Sequence, residues 1–230
     1  MLIIGHRGAP TLKRENTISS FQAALKNNVD GLELDVQLTK DKKLIVYHDF
    51  YIINYQNEKK LIANLDLQQV RAIYTDYHIP TLDEVLNICS KDIILNIEIK
   101  STNLLNVYII NETVNLLIKY QLNQNTIISS FNPFVLIQLK KVNTNIKIGL
   151  LWTQDSKAPW FVTHYSYVKL KPYSFHASIN YIDQNTAHWV KNKNMKLFLY
   201  TINTKQQLDK AKQLEAHAIF SDNPNILNIF

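Results

Sequence analysis

The chain has 230 residues, enough for one well-buried core and close to the usual size of a single α/β barrel. Hydrophobic residues make up 46% of it and charged residues 19%, as in ordinary globular proteins. No apolar run approaches the roughly 20 residues of a membrane-spanning helix, and polar residues follow Ile4 too soon for a secretory signal. A single cysteine, Cys89, excludes an internal disulfide. These features predict a cytoplasmic protein without stable membrane insertion.

The formal net charge of +6 raises the question of a nucleic-acid partner. The lysines, however, are spread along predicted helices and loops and form no single basic block. We therefore predict a solvated lysine surface and no nucleic-acid partner. The oligomeric state is left open by the sequence.

Short segments rich in β-forming residues alternate with segments of helical periodicity along the whole chain. In Thr17–Asn27, for example, the apolar residues Ile18, Phe21 and Leu25 share one helical face. The predicted strands are Leu2–Gly5, Gly31–Leu38, Leu44–His48, Ile93–Lys100, Thr126–Phe131, Ile146–Trp152, Ser174–Ile179, Leu197–Ile202 and Ala218–Ser221. The predicted helices are Thr17–Asn27, Leu82–Cys89, Leu104–Tyr120, Pro133–Val142, Thr186–Asn192 and Lys205–Glu215.

Repeated strand–helix units of this kind build a parallel sheet. Roughly eight units in one domain, residues 1–230, favour a closed (β/α)8 TIM barrel over an open doubly wound sheet. To account for the surplus strand, we expect Gly31–Leu38 and Leu44–His48 to form one bent β element with a turn at Thr39–Lys43. Residues 50–79 have no clear place in the alternation and are predicted to be a small insertion after that element.

Two predicted strands carry acidic side chains on one face, because alternate residues of a strand point the same way. This rule places Glu33 beside Asp35 on the first strand. It places Asn96, Glu98 and Lys100 together on the second. We therefore expect three carboxylates and a lysine to point towards the barrel interior.

Buried carboxylates without compensation would be very costly, and one lysine cannot balance three of them. A single isolated Glu-x-Asp pair is more often an ordinary salt-bridge partner, but the second acidic strand favours a bound divalent ion. All-oxygen ligation is typical of Mg²⁺ or Ca²⁺ rather than structural zinc. The sequence thus predicts one divalent metal ion as cofactor.

Two histidines, His6 and His48, each end an apolar strand and adjoin a charged residue. Catalytic groups of barrels lie at the carboxyl ends of strands, and histidine exchanges protons near neutral pH. The pair is suited to cleaving a phosphodiester, with Arg7 and Lys100 against the phosphate oxygens. For the remaining histidines we predict structural roles: His78, His164, His176, His188 and His217.

These residues stand within a pattern that resembles the glycerophosphodiester phosphodiesterase family across essentially the whole chain. The resemblance is most specific in the first fifty residues. Its matching stretches are His6–Pro10, Glu15–Thr17, Ser20–Phe21, Gly31–Val36, Leu38–Thr39, Val46–Asp49, Ile79–Leu86, Asn96–Lys100, Ile128–Pro133, Tyr200–Asn203 and Ser221–Pro224.

The resemblance implies a barrel enzyme, a phosphoric diester hydrolase that needs a divalent metal. It implies release of sn-glycerol 3-phosphate and an alcohol from a small glycerophosphodiester. By position, it implies metal ligands at Glu33, Asp35 and Glu98, with Glu15 as an additional metal contact or as a group behind the ligands. It also implies an acid/base pair at His6 and His48, phosphate-binding cations at Arg7 and Lys100, and an aromatic substrate contact at Phe131.

Two other functions are compatible with the same architecture. A lysophospholipase D would act on lysophospholipids, and the aromatic and basic stretch Trp152–Tyr173 could rest against a lipid surface. A non-catalytic phosphate-ligand binding protein is disfavoured, because each candidate catalytic position holds a competent residue. One departure from the family pattern is Tyr200, which stands where tryptophan is frequent.

Overall fold

The computed structural model describes residues 1–74, 76–101, 107–142, 145–153 and 168–229. Within these residues, no helix is both long and apolar enough to cross a membrane.

Eight parallel strands close into a barrel, which confirms the predicted fold class. The barrel closes because the first strand pairs on both sides, with Ile4 opposite Gly31 on one side and opposite Phe220 on the other. The barrel strands are β1 (Leu2–Gly5), β2 (Gly31–Leu38), β6 (Ile94–Ile99), β7 (Thr126–Ser130), β8 (Lys147–Trp152), β9 (Ser174–Ser178), β10 (Lys196–Tyr200) and β11 (Ala218–Ser221).

Helices follow the strands and cover the outside of the barrel, and capping side chains fix where several of them begin. Thr17 accepts a hydrogen bond from the Ser20 backbone, and Thr204 forms a capping box with Gln207. The helices are α1 (Ile18–Lys26), α2 (Leu67–Ile73), α3 (Leu82–Leu86), α4 (Val107–Lys119), α5 (Pro133–Lys141), α6 (Gln184–Asn192), α7 (Lys205–Gln213) and α8 (Ile226–Ile229).

The surplus predicted strand belongs to a hairpin outside the ring of eight. Strand β3 (Leu44–Val46) pairs antiparallel with β2, and the Thr39 hydroxyl holds the turn by bonding to Asp41 and the Lys43 carbonyl. The predicted strand end at His48 is wrong, because the pairing stops at Val46. Similarly, α6 begins two residues before the predicted Thr186, since the Asp183 side chain caps it.

Residues 50–79 contain elements that the sequence pattern did not indicate. Strands β4 (Tyr51–Ile53) and β5 (Lys59–Leu61) form a second hairpin, and a 3₁₀ turn over Ile62–Asn64 leads to α2. Four residues of this segment, Ile52, Ile62, Val70 and Ile79, form a buried apolar cluster with Ile45 of β3. Through β3, this cluster connects the segment to the barrel. That residues 50–79 are an insertion stays a prediction.

The apolar core has two layers, as the alternation of side chains requires. Leu32 and Leu34 of β2 point outwards and belong to the same buried cluster as Phe21 and Leu82 of the helices. Inside the barrel, a smaller apolar cluster comprises Ile4, Ile127, Phe198, Ala218 and Phe220. The other face of β2 is left free to carry polar side chains into the barrel.

Candidate active site

Three carboxylates meet at the carboxyl end of the barrel. Strands β2 and β6 pair with Asp35 opposite Glu98, and Glu33 lies two residues before Asp35 on the same face. One oxygen from each of the three side chains lies within 4.8 Å of the other two. Glu33 and Asp35 are 4% and 1% exposed, and the Glu98 side chain is 12% exposed. The alternation rule therefore placed these residues together correctly.

The negative charge of the acidic triad, defined as Glu33, Asp35 and Glu98, is only partly compensated by the nearby cations. Burial, then Asp35 and Glu98, raise the pKa of Glu33 well above its ordinary value. Burial and Asp35 raise the pKa of Glu98 to about 7, although Lys100 opposes this shift. Burial also opposes ionisation of Asp35, but Lys100 and Arg7 outweigh it and lower the Asp35 pKa. A divalent cation would favour the charged form of all three, so the residues present fit such an ion.

Two basic side chains lie against the triad. Arg7 Nε is 3.3 Å from Asp35 Oδ2, and Lys100 Nζ is 3.2 Å from Glu98 Oε1 and 3.6 Å from Asp35 Oδ1. The other side of the Arg7 guanidinium donates to both oxygens of Glu15, at 3.0 and 3.1 Å. Glu15 is therefore paired with Arg7 and stands outside the buried triad, with a side chain that is 45% exposed.

The turn after β1 brings its backbone close to the triad. Arg7 adopts a positive φ of 54°, and its backbone N–H donates to Glu33 Oε2 at 2.9 Å. Gly8 follows with φ 93°, and a Cβ there would lie 2.4 Å from the Ser20 hydroxyl. Only glycine fits this position, which is why the turn can place the Arg7 amide on a buried carboxylate.

Each of the two predicted catalytic histidines is held by an aspartate through Nδ1. His6 Nδ1 lies 2.7 Å from Asp222 Oδ1, and its Nε2 lies 4.0 Å from Glu33 Oε2. His48 Nδ1 lies 2.7 Å from Asp49 Oδ1. Burial lowers the pKa of His48, with Asp35 opposing the shift and Lys100 and Arg7 adding to it. Both rings thus have Nε2 available for a substrate.

The two histidines share one cavity of about 240 Å³ with two members of the triad, Glu33 and Glu98. Phe131 and Tyr200 form an aromatic wall, with ring centroids 6.3 Å apart in an edge-to-face arrangement, and the Tyr200 hydroxyl donates to the Trp152 carbonyl at 2.8 Å. Lys100 lies just outside the lining. The cavity is lined by His6, Arg7, Glu33, His48, Asn96, Glu98, Phe131, Leu151, Tyr200, Thr201 and Phe220.

The sequence and the fold of this chain are similar to those of known proteins. A model of the glycerophosphoryl diester phosphodiesterase family matches residues 6–226. The chain belongs to this family. It is 32% identical to a glycerophosphodiester phosphodiesterase of Caldanaerobacter subterraneus subsp. tengcongensis, over 98% of this chain and 96% of the relative. The predictions of the family and of an enzyme belonging to it are therefore confirmed.

Two solved structures share the fold of this family member. One is a phosphodiesterase of Oleispira antarctica in complex with the product sn-glycerol-3-phosphate, which is 25% identical. Its TM-score is 0.86, and the match covers 100% of this chain and 96% of that one. The other is a glycerophosphodiester phosphodiesterase of Thermotoga maritima, also 25% identical, with a TM-score of 0.83 and coverage of 100% and 97%.

Three polar residues of the family member's site received no role from the sequence, although Asn96 was placed on the inward face of its strand. Asn16 donates to Asp35 Oδ2 at 2.9 Å, and Asp222 holds His6. Asn96 donates to the Ser129 hydroxyl at 3.1 Å, while its own Oδ1 is buried without a hydrogen-bond partner among the described residues. All three stand in stretches that carry the family resemblance, so position in the pattern was the available signal. Most of the aromatic stretch 152–173 lies outside the described residues.

Proposed function

We propose that the chain hydrolyses glycerophosphodiesters to sn-glycerol 3-phosphate and an alcohol in a metal-dependent reaction. The observation that carries this proposal is the buried acidic triad of Glu33, Asp35 and Glu98, of which Glu33 and Glu98 line the same cavity as His6 and His48. The names of the relatives support the reaction class. The product named with the Oleispira structure supports glycerol 3-phosphate as the group retained.

The triad is our proposed metal site, with Glu33, Asp35 and Glu98 as ligands. Its oxygen-only donor set suits Mg²⁺ or Ca²⁺. When bound, the ion supplies a positive charge that polarises the phosphoryl oxygen. Glu15 is proposed as an outer residue that orients Arg7, because their side chains form a two-oxygen contact.

Arg7, Lys100 and Phe131 are proposed to bind the substrate. Phosphoryl transfer concentrates negative charge on the non-bridging oxygens, and the Arg7 guanidinium and Lys100 ammonium are already held at the carboxyl ends of β1 and β6. Phe131, with Tyr200, offers an apolar wall suited to the carbon face of a glycerol unit. The pocket is small enough to favour a compact group at this end.

We propose His6 and His48 as the general acid/base pair. One ring takes a proton from the attacking water or hydroxyl as its oxygen bonds to phosphorus and the P–O bond to the alcohol breaks, and the other ring gives a proton to the departing oxygen. Asp222 and Asp49 fix the two rings through Nδ1, which leaves Nε2 for these transfers. Water as the nucleophile gives glycerol 3-phosphate directly, whereas a neighbouring hydroxyl of the substrate gives a cyclic phosphate that water then opens. Either ring can take either role.

The proposal is tested by measuring glycerol 3-phosphate release from glycerophosphocholine and glycerophosphoethanolamine with Mg²⁺, Ca²⁺ or EDTA. We expect release that depends on the metal and stops with EDTA. His6→Ala and His48→Ala should each lower turnover by about a thousandfold while the protein stays folded. Near-normal turnover by both variants would refute the acid/base assignment, and tight binding without turnover under every metal would indicate a binding protein instead.

Three broader predictions accompany the proposed reaction. Residues 1–230 are proposed to form one barrel domain, with residues 50–79 as an insertion. A cytoplasmic location is proposed because the single cysteine, Cys89, can form no internal disulfide and suits a reducing compartment.

A further inference from the structure

Large apolar side chains are exposed around the catalytic end of the barrel. The β4–β5 hairpin carries Tyr51, Ile53 and Tyr55, which are 44%, 49% and 70% exposed. Other described residues of this kind follow barrel strands at the same end, and they are Leu12 after β1, Phe131 and Phe134 after β7, and Tyr181 after β9. Exposed apolar side chains gathered at one end of a monomer commonly mark a site of interaction.

The hairpin is built so that its outer face is apolar. Ile52 is fully buried in the cluster beneath it, so alternation turns its neighbours Tyr51 and Ile53 outwards. Ile53 pairs with Lys59 across the hairpin, and the Lys59 ammonium lies 4.5 Å from the centre of the Tyr51 ring. We call Tyr51, Ile53, Tyr55 and Lys59 the rim patch.

The surroundings of the rim patch are positively charged. The turn at residues 39–43 and the hairpin at residues 51–61 together carry five lysines against Asp41 and Glu58. The Lys42 ammonium lies 5.3 Å from the centre of the Tyr108 ring, so the lysine and tyrosine pairing is repeated there. Tyrosine rings with lysines beside them suit the boundary between lipid head groups and acyl chains.

The rim patch is joined along the chain to a residue that lies beside Lys100 of the candidate active site. Phe50 directly precedes β4, and its ring centre lies 5.9 Å from the Lys100 ammonium. A flat surface that covers the rim patch would therefore lie close to the cavity mouth.

We propose that the rim patch docks the catalytic end of the barrel on anionic lipid surfaces. The apolar rings enter the head-group region while the lysines face the lipid phosphates. Docking brings phosphodiester lipids of the surface to the cavity, as substrates in addition to free glycerophosphodiesters. This consequence rests on the proposed function. Docking requires no membrane-spanning segment, and the charge complementarity favours an anionic bilayer over a second copy of this basic chain.

The experiment is sedimentation of the full chain with vesicles of equal parts phosphatidylcholine and phosphatidylglycerol, and with vesicles of phosphatidylcholine alone. We expect binding to the anionic vesicles that weakens with salt. Replacing Ile53 and Tyr55 together by serine should lower the partition constant by at least about tenfold, because exposed apolar area no longer enters the lipid. Lys59→Glu changes two units of charge and should lower it roughly twenty-five-fold.

Ile118→Ser is the matched control, since Ile118 is 58% exposed near the end of α4, away from the catalytic end. It should leave vesicle binding unchanged, and every variant should hydrolyse free glycerophosphocholine at the normal rate. The proposal is overturned if the chain stays in the supernatant with both vesicles, or if the serine variant binds normally. A dimer that the serine variant dissociates would identify a second copy as the occupant. Vesicle binding without any turnover would overturn the proposed reaction and leave docking intact.

Discussion

Two sites in the described barrel interior contain buried ionisable side chains. The first places them beside opposite charges and a cavity, whereas the second packs its side chain as a neutral ring. At the carboxyl ends of the strands, Glu33, Asp35 and Glu98 each place an oxygen within 4.8 Å of the other two, and Glu33 and Glu98 line a cavity. Deeper in the barrel, His176 is fully buried and stacks on Phe198 with ring centres 4.9 Å apart.

The packing around His176 is that of a neutral ring. Its Nε2 lies 2.8 Å from the Ser174 hydroxyl, and Phe220 covers it at 5.2 Å between ring centres. A Cβ at Gly149 would lie 2.6 Å from the imidazole, so a residue without a side chain is required there. Burial lowers the pKa of His176 to about 3, and no described charged group opposes this shift.

The two sites differ in whether opposite charges lie nearby and in whether a cavity adjoins the ionisable groups. The acidic triad has Arg7 and Lys100 within 4 Å and a cavity that admits a further cation. His176 has neither, so it is kept uncharged and acts as a packing residue. A buried ionisable group therefore indicates chemistry when its charge is only partly compensated and solvent or ligand can reach it.

The largest expected effect comes from removing one charge of the triad. Glu33→Gln should lower glycerol 3-phosphate release by about a thousandfold, because a metal ligand and its charge are lost together. In EDTA, however, the variant should unfold at the same temperature as the wild type or higher, since repulsion among the carboxylates is relieved. Thermal unfolding with EDTA and with Mg²⁺ measures both halves of this prediction.

The matched control is Glu215→Gln, which removes a surface carboxylate that is 70% exposed and bonded to Lys191. Its activity and its response to Mg²⁺ should equal those of the wild type. If Mg²⁺ stabilises Glu33→Gln as strongly as the wild type, the ion binds elsewhere and the triad is not its site.

A smaller effect is expected from pH at His176. Its pKa of about 3 in the folded chain lies below the ordinary value of 6.5, so the unfolded chain binds the proton more readily. The stabilising contribution is complete above the ordinary pKa and is lost progressively as the pH falls towards 3. Between pH 7 and pH 5 the free energy of unfolding should fall by about 2 kcal/mol through this group.

His176→Gln tests this, because glutamine can still bond to Ser174 and does not titrate. Urea unfolding of both proteins at pH 7 and pH 5 isolates the effect of His176, since the other groups are common to the two proteins. Equal pH dependence in the two proteins would mean that His176 takes up its proton over the same pH range in the folded chain as in the unfolded chain.

The sequence predicted the barrel and the triad because both depend on local periodicity. Alternation alone placed Glu33, Asp35 and Glu98 on inward faces, and the strand register then made them neighbours. The two strands within residues 50–79 were not predicted, because β4 and β5 are three residues each, too short to show a period. Asp222 was missed as the partner of His6, since the two are 216 residues apart and meet only when β1 pairs with β11.

The smallest expected effect is the difference in kcat between variants of the two aspartates that hold the histidines. Asp222 is 28% exposed and also receives a hydrogen bond from Asn203, whereas Asp49 is 70% exposed. As a positioning residue, Asp222 should matter more: Asp222→Asn is expected to lower kcat by about tenfold with little change in KM. Asp49→Asn should lower kcat only about twofold, because water screens its contact with His48. Steady-state kinetics on glycerophosphocholine decide the order, and a larger loss in Asp49→Asn would show that burial of the aspartate does not set its contribution.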